Sequence, residues 1–146
     1  MNKPRQIVIH HSATKDSASL SWPEIRSYHI ENNGWDDIGY HAGIEKYGIT
    51  YETLLGRPWY VVGAHCPGAN SSSLGFVFIG NFEDLSPPRT MLEEAAYRIL
   101  APWCLQFAIK PENIVGHRDL RPTKCPGQYF DLPTLRQIVE RELRKI

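Results

Sequence analysis

The sequence predicts an α/β fold in which helices flank a mixed central β-sheet. Strand-like runs rich in β-branched and aromatic residues alternate with segments of helical periodicity along all 146 residues. No internal repeat or low-complexity linker interrupts them, and a chain of this length buries about two thirds of the surface that its unfolded form exposes. We therefore expect one domain that spans residues 1–146, with strands and helices packed in layers.

The first elements are a buried strand, a helix and a hairpin. The segment QIVIHHSA, residues 6–13, is apolar and β-branched, which is typical of a buried strand. A helix should follow, because Ser21 and Glu24 have the spacing of a capping box and Gly34 provides a stop. The segments GYHAGIEKYG and ITYETLLG then predict two strands of a hairpin that turns at Gly48.

The second half of the chain adds two strands and two helices. The segment SLGFVFIGNF, residues 73–82, predicts a strand, and NIVGH, residues 113–117, predicts a shorter one. From Thr90 the apolar residues recur at helical spacing, although Pro102 should kink or end that helix. The C-terminal helix is marked by a second apolar stripe, formed by Leu135, Ile138, Val139 and Leu143.

Charge and cysteine content narrow the functional class. Sixteen basic side chains balance sixteen acidic ones, whereas a strong nucleic-acid binder is usually more basic. No apolar run approaches the ~20 residues of a membrane span, and the first residues lack the apolar core of a signal peptide. We therefore expect a monomer without nucleic-acid partner or membrane span, synthesised in the cytoplasm.

An odd number of cysteines, namely Cys66, Cys104 and Cys125, leaves at least one thiol free.

Two histidines and a cysteine form a candidate metal site. Successive side chains of a strand point to opposite faces, so His10 and His11 cannot both serve one site. His117 lies at the end of another predicted strand, and Cys125 lies in the loop that follows it. Two imidazoles and a thiolate suit zinc, and three protein ligands leave the fourth tetrahedral position open, as in a catalytic zinc site.

Two other interpretations of these residues stay open at this point. Cys125 also fits a small buried hydrophobe, and His117 fits a residue that caps the end of a strand. A blue-copper centre uses two histidines and a cysteine as well, but it normally adds a weak axial methionine. Because Met1 and Met91 are both distant from this loop in sequence, the residues favour zinc over copper.

Four motifs follow one another along the chain: IVIHHSAT, GWDDIGYHAGI, VGAHCPGANSSSLGFVFIGNF and IVGHRDLRPTKCPG. In this order they resemble the motifs of the type 2 N-acetylmuramoyl-L-alanine amidases, a family that includes amidase-type phage lysozymes and peptidoglycan recognition proteins. The likeness runs from residue 7 to about residue 131. It implies a mixed sheet flanked by helices, a groove that holds one Zn²⁺ per chain, and cleavage of the amide between N-acetylmuramic acid and L-alanine.

The resemblance also implies roles for individual residues. His10, His117 and Cys125 match the metal ligands, and Tyr40 of the GYH triplet matches the catalytic tyrosine. Thr123 falls where phage members often carry a catalytic lysine and recognition-type amidases carry a threonine. This chain follows the threonine pattern, so Thr123 is a second candidate catalytic residue.

The GAH loop supplies the candidate substrate-binding residues. His65 and Asn70 fall in the segment that lines the groove of the family, whereas His29 and His41 are expected to be structural or to support the metal ligands. The sequence leaves the roles of three other residues open: Trp35, Arg57 and Lys124.

Two competing functions belong to the same superfamily. Peptidoglycan-binding modules that have lost catalysis commonly lack the cysteine ligand, whereas this chain has Cys125. Cytosolic amidases that recycle anhydro-muropeptides typically use an aspartate as third ligand and a glutamate in place of the tyrosine, so Cys125 and Tyr40 argue against that function. We therefore expect an endolysin-like hydrolase of peptidoglycan or muropeptides, which reaches the cell wall by host lysis or by secretion without a signal peptide.

Overall fold

The strands form one mixed sheet. The computed structural model of the protein describes residues 1–14 and 21–146. Within these residues, the strands are β1 (Gln6–His11), β2 (Ala42–Tyr47), β3 (Thr50–Leu55), β4 (Ser73–Phe78) and β5 (Ile114–Gly116). Strand β1 is parallel to β4 and to β5, β2 is parallel to β4, and β2 is antiparallel to β3, in the order β3-β2-β4-β1-β5. This arrangement confirms the predicted mixed sheet.

The predicted hairpin is formed by β2 and β3. Tyr47 pairs with Thr50 in the register of the two strands, so that only Gly48 and Ile49 form the turn. Gly48 has φ of +63°, a left-handed conformation that two-residue hairpin turns require and that glycine adopts without steric cost. The hairpin therefore follows directly from the sequence.

The helices flank the sheet and differ from the sequence prediction at Pro102. The helical backbone from Arg89 continues to Phe107, but the segment before Pro102 has the wider hydrogen bonding of a π-helix. Because proline has no backbone N–H to donate, the predicted interruption takes the form of a changed hydrogen-bonding pattern and not of a helix end. The α-helices are α1 (Trp22–Glu31), α2 (Arg89–Ala95), α3 (Ala101–Phe107), α4 (His117–Leu120) and α5 (Leu132–Arg144). No helix in the described part of the chain has the length and apolar character needed to cross a membrane.

The two faces of the sheet are covered differently. Ile9 of β1 and Phe76 of β4 belong to the main core, which also contains the apolar stripes of α2, α3 and α5. On the opposite face, Val77 packs in a smaller cluster with Trp22 of α1. His10 pairs with Val77 in the register of β1 and β4 and therefore points to this second face, away from the main core.

The capping box predicted at the start of α1 is wrong. Ser21 is the N-cap residue, but its side chain makes no capping hydrogen bond. Instead, Glu45 of β2, which is buried, accepts hydrogen bonds from the backbone N–H groups of Ser21 and Trp22 at 2.6 and 3.0 Å, and another from the Ser21 hydroxyl. A carboxylate at this position satisfies unpaired N–H groups and balances the partial positive charge of the helix start.

Candidate metal centre

Three side chains that are distant in sequence meet at the C-terminal ends of β1 and β5. Because these strands are parallel, with Ile9 opposite Gly116, the next residues, His10 and His117, lie side by side. His10 and His117 have ring centroids 4.7 Å apart. Cys125 reaches the same place from the loop after α4, and one donor atom from each of the three side chains lies within 4.8 Å of the others.

His11 lies on the other side of β1, as strand alternation predicts. Its Nδ1 accepts a hydrogen bond of 3.1 Å from the backbone N–H of Phe82. Its own backbone N–H points to the sulfur of Cys125, 3.4 Å away. The His11 ring is therefore engaged in the core, while its main chain supports the thiol.

The donor set fits a zinc ion. In a tetrahedral zinc site with bonds of about 2.0–2.3 Å, the donors lie within about 4 Å of one another. The Sγ of Cys125 lies 3.7 Å from Nδ1 of His10, and all three donor atoms lie within 4.8 Å of one another. The axial methionine of a blue-copper site is not provided by Met91, which is buried in the main core. Geometry and ligand chemistry therefore both favour zinc.

The site histidines are neutral at physiological pH. Burial, followed by the nearby rings of His65 and His117, holds the pKa of His10 well below its ordinary value of 6.5. Burial and the charge of Arg121 lower the pKa of His117, and burial lowers the pKa of His65 to about 3. A neutral imidazole has one unprotonated nitrogen, so no proton competes with a metal ion at these rings.

The pKa of the Cys125 thiol shifts in the opposite direction. Burial raises its pKa to about 11, and the N–H of His11 and the guanidinium of Arg118 oppose this shift only in part. Without a metal the thiol is therefore protonated at pH 7. Since a metal binds the thiolate, metal binding at this site releases a proton.

Tyr40 lies beside the candidate ligands. Its ring centroid is 5.2 Å from that of His10 and 5.8 Å from that of His29. Burial, and next the charge of Cys125, raise the pKa of the phenol well above its ordinary value of 10.0. The hydroxyl therefore keeps its proton at neutral pH and is suited to donate a hydrogen bond to a group that becomes negative.

Thr123 and Lys124 lie in the loop that presents Cys125, and both side chains are exposed. The hydroxyl of Thr123 accepts a hydrogen bond of 3.3 Å from the backbone N–H of Cys125. The carbonyl of Lys124 accepts a hydrogen bond of 2.7 Å from the N–H of Gly127. Both residues thus help to shape the loop, and a catalytic role for Thr123 stays a prediction.

His65 and Asn70 lie in the loop before β4 and make contacts inside the protein. His65 is 8% exposed, and its Nδ1 lies 2.9 Å from Nε2 of His10. The Oδ1 of Asn70 accepts hydrogen bonds from the backbone N–H groups of His65 and Cys66 at 3.0 and 2.8 Å. Asn70 therefore fixes the loop that holds His65 against a candidate ligand, and the binding of substrate by either residue stays a prediction.

His29 and His41 both accept backbone hydrogen bonds, in keeping with the supporting roles expected from the sequence. Nδ1 of His29 accepts from the N–H of Gly39, and Nδ1 of His41 accepts from the N–H of Gly75, each at 3.0 Å. The other ring nitrogen of His41 lies 2.8 Å from the carbonyl of Val61. His41 thus joins β4 to the loop that follows β3.

Arg57, whose role the sequence leaves open, ties backbone segments together. Its guanidinium donates to the carbonyls of Ile38, Val62 and Asp37 at 2.8, 2.8 and 3.3 Å. Its positive charge also contributes to the lowered pKa of His65. Trp35 packs its ring 4.8 Å from that of His29, on the side of the site where Tyr40 lies.

Sequence reasoning missed Ser73, the first residue of β4. It is fully buried, and its hydroxyl lies 3.3 Å from Nε2 of His65. No local pattern marks this serine among its neighbours Ser71 and Ser72. Its contact with the site depends on the packing of the GAH loop against the sheet.

The fold and the site together define an α/β domain with a candidate His-His-Cys metal centre. The family model described as N-acetylmuramoyl-L-alanine amidase matches residues 1–128, and the chain belongs to this family. The resemblance predicted from the four motifs is thereby confirmed.

Relatives of known identity include recognition proteins and amidases. The chain is 37% identical over 129 residues to peptidoglycan-recognition protein LB of Drosophila melanogaster, a match that covers 83% of this chain and 53% of that protein. It is 38% identical over 112 residues to N-acetylmuramoyl-L-alanine amidase of Homo sapiens, covering 74% and 19% of the two chains. The chain therefore spans about half the length of the first relative and a smaller part of the second.

Similar solved structures fall into the same two groups. The endolysin N-acetylmuramoyl-L-alanine amidase LysCS of Clostridium intestinale URNW has a TM-score of 0.78 at 26% identity, covering 95% of this chain and 85% of that one. A mutant of Drosophila PGRP-LB in complex with tracheal cytotoxin has a TM-score of 0.76 at 33% identity, covering 89% and 79%. Both likenesses extend over nearly the whole described fold.

Proposed function

We propose that the protein is a zinc-dependent amidase that hydrolyses the bond between N-acetylmuramic acid and L-alanine in peptidoglycan. One observation carries the proposal: the thiol of Cys125 lies 3.7 Å from Nδ1 of His10, with the ring of His117 beside them. Two imidazoles and one thiolate with an open fourth position are a ligand set of catalytic zinc sites. Membership of the amidase family supplies the substrate class.

The residues of the site have two proposed roles: some hold the metal, and others stabilise negative charge on the substrate. His10, His117 and Cys125 would hold the zinc ion, which when bound polarises a carbonyl and lowers the pKa of water. Tyr40 keeps its phenolic proton and donates a hydrogen bond to the amide oxygen as that oxygen gains negative charge. Loss of one such donor typically costs about 10²–10³ in rate.

Thr123 is proposed as a further donor to the substrate. Its oxygen already accepts the N–H of Cys125, which leaves the hydroxyl proton for another acceptor. Since the side chain is exposed beside the ligand loop, this proton is accessible to a muramyl peptide placed at the centre.

The proposed setting is lysis of the cell wall. The likeness to the endolysin LysCS, with a TM-score of 0.78, supports an endolysin-like enzyme. We propose that the protein acts on the cell wall after its release from the cell that makes it, by host lysis or by export.

A peptidoglycan-binding module is the second candidate, because recognition proteins are among the relatives and one of them was solved in complex with tracheal cytotoxin. Such a module binds muropeptides without cleaving them. The two candidates therefore make opposite predictions for the release of free stem peptides.

The deciding experiment measures zinc content and cleavage on the same sample. Purified protein is analysed for metal and then incubated with sacculi and, separately, with soluble anhydro-muropeptides, and mass spectrometry detects free peptides with an N-terminal L-alanine. Amidase function predicts about one zinc per chain, cleavage of sacculi, loss of cleavage after chelation and its return with zinc. Binding to sacculi without cleavage favours the recognition module, and cleavage of the soluble substrate alone favours a recycling enzyme.

A further inference from the structure

A chain of hydrogen bonds leads from the candidate ligand His10 into the protein. Nε2 of His10 lies 2.9 Å from Nδ1 of His65, and Nε2 of His65 lies 3.3 Å from the hydroxyl of Ser73. The hydroxyl of Ser73 in turn lies 2.6 Å from the carbonyl oxygen of Ala69. All three side chains are buried, with exposures of 2%, 8% and 0%, so bulk water does not compete for these bonds.

The carbonyl of Ala69 determines which group donates and which accepts in each of these hydrogen bonds. A carbonyl only accepts, so the single hydroxyl proton of Ser73 is donated to it. The Ser73 oxygen must then accept from His65, which places the His65 proton on Nε2. The Nδ1 of neutral His65 is left as an acceptor, and it takes the Nε2 proton of His10.

The consequence reaches the metal centre. With its proton on Nε2, the neutral His10 ring carries its lone pair on Nδ1, the nitrogen that lies 3.7 Å from the sulfur of Cys125. We propose that Ser73 is a positioning residue that acts through His65 to hold His10 in the tautomer that binds the metal. The inference deepens the proposed function and depends on it, because it concerns a ligand of the same site.

Close packing around His65 restricts its ring from moving out of these hydrogen bonds. A Cβ atom added at Gly75 would lie 2.6 Å from two carbons of the His65 ring, a distance at which one of the two must move. Asn70 accepts a hydrogen bond from the backbone N–H of His65, and Asn2 donates to the carbonyl of Ser73 at 2.9 Å. Both His65 and Ser73 are therefore held in place by contacts outside this series of hydrogen bonds.

Removing the Ser73 hydroxyl should allow His65 and His10 to change tautomer. In Ser73→Ala, the Nε2 proton of His65 loses its acceptor, and the proton can move to Nδ1 of the same ring. His65 then donates to His10, whose proton shifts to Nδ1 and blocks the position that faces Cys125. Groups that orient a ligand from outside typically contribute 10–100-fold to metal affinity, and we expect a loss of about tenfold from this one, which acts through a second ring.

Ser72→Ala is the matched control. The hydroxyl of Ser72 lies 3.4 Å from the same carbonyl of Ala69, and the residue neighbours Ser73 in the chain, but it takes no part in the route to His65. The two variants therefore remove the same group from the same acceptor and differ in whether the bond to the histidine chain is lost.

The experiment has two measurements on the whole 146-residue chain. Long-range ¹H–¹⁵N NMR of the metal-free wild type and both variants shows which ring nitrogen of His10 and His65 is protonated, and chelator competition gives the dissociation constant for zinc. We expect the wild type and Ser72→Ala to have His10 protonated on Nε2, with equal zinc affinity. Ser73→Ala should show a growing share of the Nδ1-protonated form and zinc binding about tenfold weaker.

A second pair of variants guards against misfolding of Ser73→Ala. His65→Gln keeps an amide oxygen that accepts from His10, whereas His65→Leu removes every acceptor, so zinc affinity should fall further in the leucine variant. Unchanged tautomers and affinity in Ser73→Ala, or equal affinity in the two His65 variants, overturn the inference. A wild type that binds no zinc contradicts the proposed function instead, and the NMR measurement still tests the direction of the hydrogen bonds.

Discussion

The sulfur of Cys125 lies 3.7 Å from Nδ1 of His10, although 115 positions separate the two residues in the chain. The contact exists because β1 lies between β4 and β5 in the sheet and because the loop after α4 folds back over the end of β1. It brings a soft sulfur donor to an imidazole whose other nitrogen already makes a hydrogen bond with His65.

Replacing His10 or His117 by alanine should abolish tight zinc binding, with a loss of affinity greater than about 100-fold, because each change removes a direct donor. His11→Ala should keep the metal, since that ring accepts from Phe82 on the opposite face of β1. Metal analysis after dialysis, combined with circular dichroism to confirm folding, checks all three variants. Equal metal loss in a folded His11→Ala protein would show that the ligand assignment is wrong.

Cys125→Ser should weaken zinc binding strongly, because a neutral hydroxyl replaces a thiolate ligand. Cys66→Ser and Cys104→Ser serve as controls and should retain zinc, since those thiols lie outside the donor cluster. In the wild type, Cys125 should resist a thiol reagent while zinc is bound and react after chelation. Stoichiometric, tightly held zinc in Cys125→Ser contradicts the proposed site.

Tyr40→Phe should leave folding and zinc content unchanged but lower turnover about 10²-fold or more, because it removes only the hydroxyl proton proposed to stabilise charge on the substrate. The comparison of kcat and KM for a soluble muramyl peptide separates this effect from weaker substrate binding. Turnover close to that of the wild type would make Tyr40 a packing residue beside His10.

Zinc affinity should rise with pH by about tenfold per unit between pH 7 and pH 9. The metal-free thiol of Cys125 has a pKa of about 11, so zinc displaces one proton throughout this range, and the lowered pKa values of His10 and His117 leave those rings already unprotonated. Apparent dissociation constants at several pH values, measured against a chelator of known pH dependence, give the slope. A flat profile would exclude a protonated thiol as the group that zinc displaces.

Glu45→Gln should destabilise the protein by about 1–3 kcal/mol, the usual cost of losing hydrogen bonds to a charged buried group. The carboxylate accepts the N–H groups of Ser21 and Trp22, and an amide provides one oxygen where two are used. Glu52→Gln is the matched control, because Glu52 lies opposite Glu45 in the hairpin but is exposed. Urea denaturation of both variants measures the difference, and equal free energies of unfolding would show that the capping contact contributes nothing.

The sequence by itself determined the strands and the main helices, and the resemblance of its four motifs to the amidase family named the members of the candidate metal site. The strands and helices rest on patterns that are local in the chain: alternation separates His10 from His11, a glycine at position 48 forms the hairpin turn, and helical spacing marks α5. Such patterns predict local structure reliably because the period of a strand or helix follows from backbone geometry and does not depend on the rest of the fold.

Tertiary structure alone decided which groups complete these local elements. The start of α1 is capped by Glu45 from a strand and not by the nearby Glu24, and His10 is oriented by His65 and Ser73. Both contacts cross from one element to another, so they depend on strand order, register and the path of a loop. Hydrogen bonds between buried groups form wherever the fold brings a donor and an acceptor together. The periodicity of the sequence does not predict which donor and acceptor these are.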